Sequence, residues 1–307
     1  IYHFNRKISI KLIDITVIII KILKNQYVKF YKKLKPNTSY IIYIMNILIY
    51  GGKGWIGQQF IDILKKESIS HIISETRVNN YPEIYNDLLH NNPTHVISFI
   101  GRTHGTYNGK YFSTIDYLQQ PGKLKENIND NLYGPIVIAE ACRNYYSEKN
   151  NFVHYSYIGT GCIFKYDEEH KFEKEETGFK ESDEPNFFGS NYSIMKGTTD
   201  KLMHLIYNNH CLNLRIRMPI TDNNNPRNFI TKITKYDKIC SIKNSMSVLP
   251  ELLPIILDLM QNHKTGTFNL TNPGLISHNE ILELYKEIVD NDFTWKNFTV
   301  EEQAKIL

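Results

Sequence analysis

From residue 46 onward, short apolar runs recur between polar stretches of helical spacing, and this alternation predicts the fold. Asn46-Ile-Leu-Ile-Tyr50 reads as a buried strand, followed at once by Gly51-Gly-Lys-Gly54-Trp-Ile-Gly57 and a helical pattern from Gln58 to Lys66. A second strand is expected near His71-Ile-Ile-Ser74, a helix closes over Leu88 to Asn92, and Pro93-Thr-His-Val-Ile-Ser-Phe-Ile-Gly101 reads as a buried strand running into a glycine turn. Arg102 to Gly122 is polar and aromatic, with Gly105, Gly109 and Pro121, and reads as a long loop. A helix is expected over Lys125 to Arg143. The strand Asn151-Phe-Val-His-Tyr-Ser-Tyr-Ile158 then delivers Thr160 and Cys162 to its carboxyl end, and after a helix bearing Tyr192, Leu212-Asn-Leu-Arg-Ile-Arg-Met-Pro219 reads as another buried strand. Strands alternating with helices imply parallel βαβ units, so the expected class is α/β, a Rossmann-like doubly wound parallel sheet with ligands at its carboxyl edge.

The first 44 residues do not share this pattern. They begin with isoleucine, are rich in Ile, Lys, Tyr and Asn, and show no periodicity up to Met45, so residues 1–44 are expected to be a non-native or disordered extension. Their most apolar run, Ile15 to Ile20, is far shorter than the roughly 20 residues of a membrane span, and no membrane partner is expected. At 307 residues and 41% hydrophobic the chain has the composition of a folded core-forming protein, and its net charge of +4 is too small to predict a nucleic-acid face. The four cysteines, Cys142, Cys162, Cys211 and Cys240, are widely spaced without a C-x-x-C pair, which predicts free thiols in a reducing cytoplasm and no metal site.

Two stretches carry chemistry. In the first, Gly51 allows a tight turn, Gly54 lets backbone approach a pyrophosphate, Gly57 lets helix and strand pack closely, and Trp55 and Ile56 open the helix that faces the phosphates. The second strand ends in Glu75-Thr-Arg77, where an adenosine ribose would lie; the acid suits NADH and Arg77 suits the 2′-phosphate of NADPH, so NADPH is the expected cofactor with NADH as the alternative. In the second stretch, Thr160, Cys162, Tyr192 and Lys196 offer a hydroxyl, a thiol, a phenol and an amine, groups suited to protonating a carbonyl oxygen while a nicotinamide delivers hydride. Tyr-x-x-x-Lys alone is weak, since Tyr31/Lys35 and Tyr145/Lys149 repeat it; only Tyr192/Lys196 follows both a glycine loop and a Ser/Thr-bearing strand end.

Longer runs resemble one family. Tyr50-Gly-Gly-Lys-Gly-Trp-Ile-Gly57, Thr160-Gly-Cys-Ile-Phe164, Gly178-Phe-Lys-Glu181, Tyr192-Ser-Ile-Met-Lys196, Arg215-Ile-Arg-Met-Pro-Ile220, Asn225-Pro-Arg-Asn-Phe-Ile-Thr-Lys232, Leu270-Thr-Asn-Pro-Gly274, Ser277-His-Asn-Glu-Ile-Leu282 and Thr294-Trp-Lys-Asn-Phe298 resemble the nucleotide-rhamnose synthase epimerase/reductases, within the extended short-chain dehydrogenases. The resemblance implies a bifunctional 3,5-epimerase/4-reductase that converts a UDP- or dTDP-4-keto-6-deoxy-D-glucose to the nucleotide-L-rhamnose. It implies that Cys162 and Lys232 move protons at carbon, that Asn225, Arg227 and Asn228 contact the nucleotide sugar, and that the protein is a homodimer. Residues 45–215 would form the NAD(P)-binding domain and 216–307 a smaller substrate-binding lobe, shortened relative to a family that continues past the position matching Leu307; the segment from Arg102 to Gly122 departs from the family. The competing readings are a single-activity reductase or epimerase of the same superfamily and a non-catalytic dinucleotide sensor.

Overall fold

The computed structural model describes residues 45–171 and 177–304, so the expected extension over residues 1–44 lies outside the described residues. The first βαβ units come from β1 (Asn46–Tyr50), α1 (Trp55–Lys66), β2 (Ser70–Ile73), α2 (Tyr81–Asn91) and β3 (His95–Ser98). A hairpin of β4 (Gly105–Tyr107) and β5 (Lys110–Phe112) follows, then α3 (Leu124–Ile128), a wide π turn over Asn129–Tyr133, α4 (Gly134–Lys149) and β6 (His154–Thr160). The chain continues through α5 (Asn191–Ile206), β7 (Cys211–Ile216), β8 (Pro219–Ile220), α6 (Phe229–Ile233), β9 (Ser247–Val248), α7 (Leu249–Gln261), β10 (Gly266–Asn269), α8 (His278–Ile288) and α9 (Val300–Ala304).

Six strands form one sheet in the order β10-β7-β6-β3-β1-β2, every neighbouring pair parallel. Strand order reverses between β1 and β3, which leaves a crevice at their carboxyl ends, the place where ligands of such sheets bind. Alternation along the strands splits the core between two faces. Ile47, Ile49, Ile97, Ile158, Leu212 and Leu214 pack with residues of α1 and α7, whereas Leu48, Tyr50, Val96, Tyr155 and Tyr157 pack with residues of α2 and α4.

The sequence past residue 216 serves two bodies. α7 packs against α1 and β10 pairs with β7, so residues 249–269 complete the sheet, while Ile220, Phe229, Ile230, Ile233, Ile239, Met246, Ile276, Ile281 and Leu282 form a separate cluster beside it. The segment Arg102 to Gly122, expected as a long loop, instead holds the β4–β5 hairpin and a 3₁₀ turn over Ile115–Gln119. The hairpin turns on Asn108 (φ 48°) and Gly109 (φ +77°), a pair whose left-handed backbone matches strand twist in two-residue hairpins. Among the described residues no helix is long and apolar enough to cross a membrane, and the four cysteines are unpaired.

Candidate active site

The glycine turn comes first because it sets the floor of the crevice. Gly51 has φ +72°, and a side-chain carbon added at Gly57 would fall 2.8 Å from the Gly51 carbonyl oxygen and 2.9 Å from the Gly52 Cα. The backbone has closed to a spacing that only glycine permits. α1 starts at Trp55 with Gly54 as its cap and no side chain filling the cap, so its first amides stay directed out of the helix. The buried indole Nε1 of Trp55 also lacks a partner. These features fit an anionic dinucleotide. At the end of β2, Glu75 is taken by Lys53 of the glycine turn at 2.5 Å, while Arg77 is exposed beside it.

The carbonyl-chemistry groups converge at the ends of β6 and β7. Thr160 ends β6 and its hydroxyl accepts from the Cys162 amide at 3.1 Å. α5 begins on Ser190, whose hydroxyl accepts from the Ser193 amide, and Ser193 in turn donates to the Cys162 carbonyl at 2.8 Å, fixing the helix start against the turn that holds the thiol. One stripe of α5 then buries Tyr192, Lys196 and Asp200. Burial pushes the Tyr192 phenol up, as does the neighbouring Cys162, while a hydrogen bond with Thr160 and the charge of Arg217 act the other way. Lys196 donates to the Tyr157 hydroxyl and, at 3.3 Å, to the Ile158 carbonyl; burial brings its amine down to about 7, against the pull of Asp200 and Cys162.

Opposite these lies a basic group. Lys232, on α6, is held below the ordinary lysine range by burial and by Arg227, with Cys162 working upward, so it stands within electrostatic reach of the thiol. Arg227 hydrogen-bonds the His104 ring, and burial together with Arg227, Arg102 and Lys232 takes that imidazole down to about 4. Tyr107, Phe112 and Ile115 pack with Cys162 against Tyr117, Leu118 and Tyr192, so the hairpin segment borders the same groups. Arg102 is pinned from below by Asp130 at 2.8 Å and by Asn131, whose amide meets both its N–H and its carbonyl.

The structure thus gathers Thr160, Cys162, Tyr192, Lys196 and Lys232 and leaves Arg77 at the other end of the crevice. Asn228, expected to contact the nucleotide sugar, also has a part in the fold. It is fully buried, and its amide is consumed in the fold: Oδ1 caps α6 by accepting from Ile230 at 3.2 Å, and Nδ2 donates to the carbonyls of Thr221 and Asn223. Asn225 likewise accepts from the Arg227 amide, which shapes the turn that presents Arg227. Tyr157, Arg217 and His104 were not singled out from sequence, because each enters through strand register or loop packing and none through a spacing motif.

Fold and site together define an extended short-chain dehydrogenase. No protein-family profile matches the chain. A protein of Acanthamoeba polyphaga mimivirus, whose crystal structure is described as a UDP-rhamnose synthase, is 49% identical, with 86% of this chain and 88% of that one aligned at a TM-score of 0.78. The bifunctional dTDP-4-dehydrorhamnose 3,5-epimerase/dTDP-4-dehydrorhamnose reductase of Arabidopsis thaliana is 42% identical over 263 residues, 85% of this chain and 81% of the relative. A trifunctional Arabidopsis enzyme with 4,6-dehydratase, 3,5-epimerase and reductase activities is 42% identical, but the chain spans only 37% of its length. The chain belongs to the nucleotide-rhamnose epimerase/reductase family.

Proposed function

We propose that the chain is a 3,5-epimerase/4-reductase that converts a UDP- or dTDP-4-keto-6-deoxy-D-glucose to the nucleotide-L-rhamnose with NADPH, as a homodimer in a reducing cytoplasm. The observation that supports this reading is that Cys162, whose amide bonds the Thr160 hydroxyl and whose side chain packs with the Tyr192 cluster, lies within electrostatic range of Lys232. A reductase alone has no use for a pairing of Cys162 with Lys232.

Both reactions depend on the C4 ketone. It acidifies the hydrogens on C3 and C5, so one of Cys162 and Lys232 removes a proton, negative charge develops on the ketone oxygen, and the other returns a proton from the opposite face. Tyr192 is placed to donate a hydrogen bond to that oxygen and, in the second reaction, to give it its proton; Thr160 orients the phenol. A nicotinamide held at this edge would supply the hydride for C4. Lys196, buried beneath, supplies positive charge below Tyr192. The open amides of α1 and the side-chain-free cradle at Gly57 suit the cofactor pyrophosphate, and with Glu75 occupied by Lys53, Arg77 is left for a 2′-phosphate.

The test separates the two chemistries. Incubation of either nucleotide 4-keto-6-deoxyglucose in D₂O without NADPH should place deuterium at C3 and C5, because this exchange consumes no hydride. Cys162→Ser and Lys232→Ala should lose it, while Tyr192→Phe, which removes only one hydrogen bond to the enolate oxygen, should keep part of the exchange and fail to oxidise NADPH. Exchange at the wild-type rate in both Cys162→Ser and Lys232→Ala leaves a reductase only.

A further inference from the structure

Arg217 lies one residue past the end of β7, and its surroundings are unusual for a half-buried guanidinium. Its Nη1 donates to the Cys162 sulfur at 2.8 Å, its Nε reaches the Asn244 side-chain oxygen at 3.3 Å, and its backbone amide is held by the Ser247 hydroxyl at 2.9 Å. Among the described residues no carboxylate pairs with it, whereas its neighbour two residues back, Arg215, is neutralised by buried Asp200 at 2.6 Å. The approach is built in. Gly159 is in register with Arg215 and Thr160 with Ile216, so the next residues, Gly161 and Arg217, also come side by side. A side-chain carbon at Gly161 would stand 3.4 Å from the Arg217 Cδ, so the arginine stem runs in contact with the turn that carries the thiol.

We infer that Arg217 is the positioning residue of the epimerase half-site: it fixes the Cys162 sulfur in place and supplies the counter-charge that sulfur needs when it is deprotonated. Among the described residues, the formal charge in direct contact with the sulfur is that guanidinium. In proton removal the anionic sulfur takes hydrogen from carbon and becomes a thiol, the carbon–hydrogen electron pair passes into the enolate, and no electron leaves the pair of reactants. Arg217 keeps its own proton throughout and acts only through Cys162. This inference rests on the epimerase reading for its place in the reaction, although the arginine–sulfur contact can be tested without it.

The measurement is alkylation of the ligand-free protein by iodoacetamide at neutral pH, read by mass spectrometry at each cysteine. Cys142, Cys211 and Cys240 are buried, so the fast site is Cys162, and Cys162→Ser gives the background. Arg217→Gln should slow alkylation about tenfold or more, and Arg217→Lys, which keeps the charge, should recover part of the rate; a comparable drop should appear in deuterium exchange at C3 and C5. An unchanged alkylation rate in Arg217→Gln, or Arg217→Lys no faster than Arg217→Gln, overturns the inference. If alkylation falls as expected but the wild-type protein exchanges no deuterium, the epimerase reading fails while the arginine–sulfur pair stands. Should Arg217→Gln not fold, Asn244→Ala frees the Nε anchor instead and should slow alkylation by a smaller factor, no change again overturning the inference.

Discussion

Lys196 and Lys232 are both drawn below the ordinary lysine range by burial, yet they keep different company. Lys196 rests on Tyr157 and the Ile158 carbonyl under Tyr192, and Lys232 faces Arg227 and Cys162. The amine of Lys196 is at about 7, so its charge is present below that pH and is lost above it. If reduction needs the ammonium, kcat/KM for the ketone falls as pH rises through about 7, and Lys196→Met removes this limb along with most of the rate. Tyr192→Phe should lower reduction about 10²-fold or more with little change in the unfolding midpoint. Near-normal turnover would exclude the phenol as acid. At the far end of the crevice, Arg77→Ala should weaken NADPH binding roughly tenfold or more and leave NADH nearly unchanged, measured by fluorescence titration of both cofactors. Equal losses would make Arg77 a surface residue only. The catalytic candidates were legible in the sequence because helix spacing and chain order bring Tyr192, Lys196 and Thr160 together, and the family resemblance points to Cys162 and Lys232. Arg217 was not, since it reaches the thiol through the pairing of β6 with β7, which no local spacing records. Asn228, expected from the resemblance as a nucleotide-sugar contact, uses its amide for three hydrogen bonds to backbone in the interior, a demand that no local spacing records.

At the scale of elements, the hairpin carries its own signal in the sequence. Asn108-Gly109 between Tyr107 and Lys110 is the dipeptide that two-residue hairpins favour, yet the surrounding aromatics and glycines suggested an irregular loop. Its packing makes it part of the site. A side-chain carbon at Gly105 would meet the Tyr117 ring at 2.4 Å, and Tyr117 is packed on Tyr192. Gly105→Ala should therefore cost about 1–3 kcal/mol by overpacking and raise KM for the nucleotide sugar, whereas Thr106→Ala, at an exposed position of the same strand, should do neither. Denaturant melts with steady-state kinetics would check both, and an unaffected KM in Gly105→Ala would detach the hairpin from the site. The π turn over Asn129–Tyr133 belongs here too: a continuous helix was expected, and the wide turn falls where Asn131 reaches across to Arg102.

Across the whole molecule, the parallel sheet and its helical layers followed from the apolar runs alternating with helical spacing, because buried parallel strands must be apolar on both faces. The histidines beneath the sheet gave no such signal. His95 and His154 begin neighbouring strands and His263 closes on them, with ring centroids 5.1–5.7 Å apart. Burial and their mutual repulsion bring His95 down to about 3, and burial brings His154 down to about 4. Unfolded histidine titrates near 6.5, so between that pH and the folded values the unfolded chain binds more protons, and stability is full above about 6.5 and declines as pH falls below it. Urea midpoints should therefore drop between about pH 6.5 and 5, before most carboxylates titrate, and His154→Gln should flatten that slope. A midpoint constant over this window would mean that the cluster takes up protons without cost.

α5 binds these scales together. Tyr192, Lys196 and Asp200 share one stripe of it, and Asp200 is clamped by Arg215, which also gathers the carbonyls of Lys180, Glu181 and Asp183. The helix therefore works as a gauge whose zero is set by the Arg215 clamp. Deleting any one residue between Tyr192 and Asp200 would rotate one end by about 100° relative to the other, so the chain must then choose which end to seat. Seating Asp200 keeps the protein folded and swings the phenol away from Thr160; seating Tyr192 buries an uncompensated arginine. Length variation among homologous sequences should accordingly gather in the hairpin and the outer loops and be missing from these nine positions, although only two of them touch the chemistry.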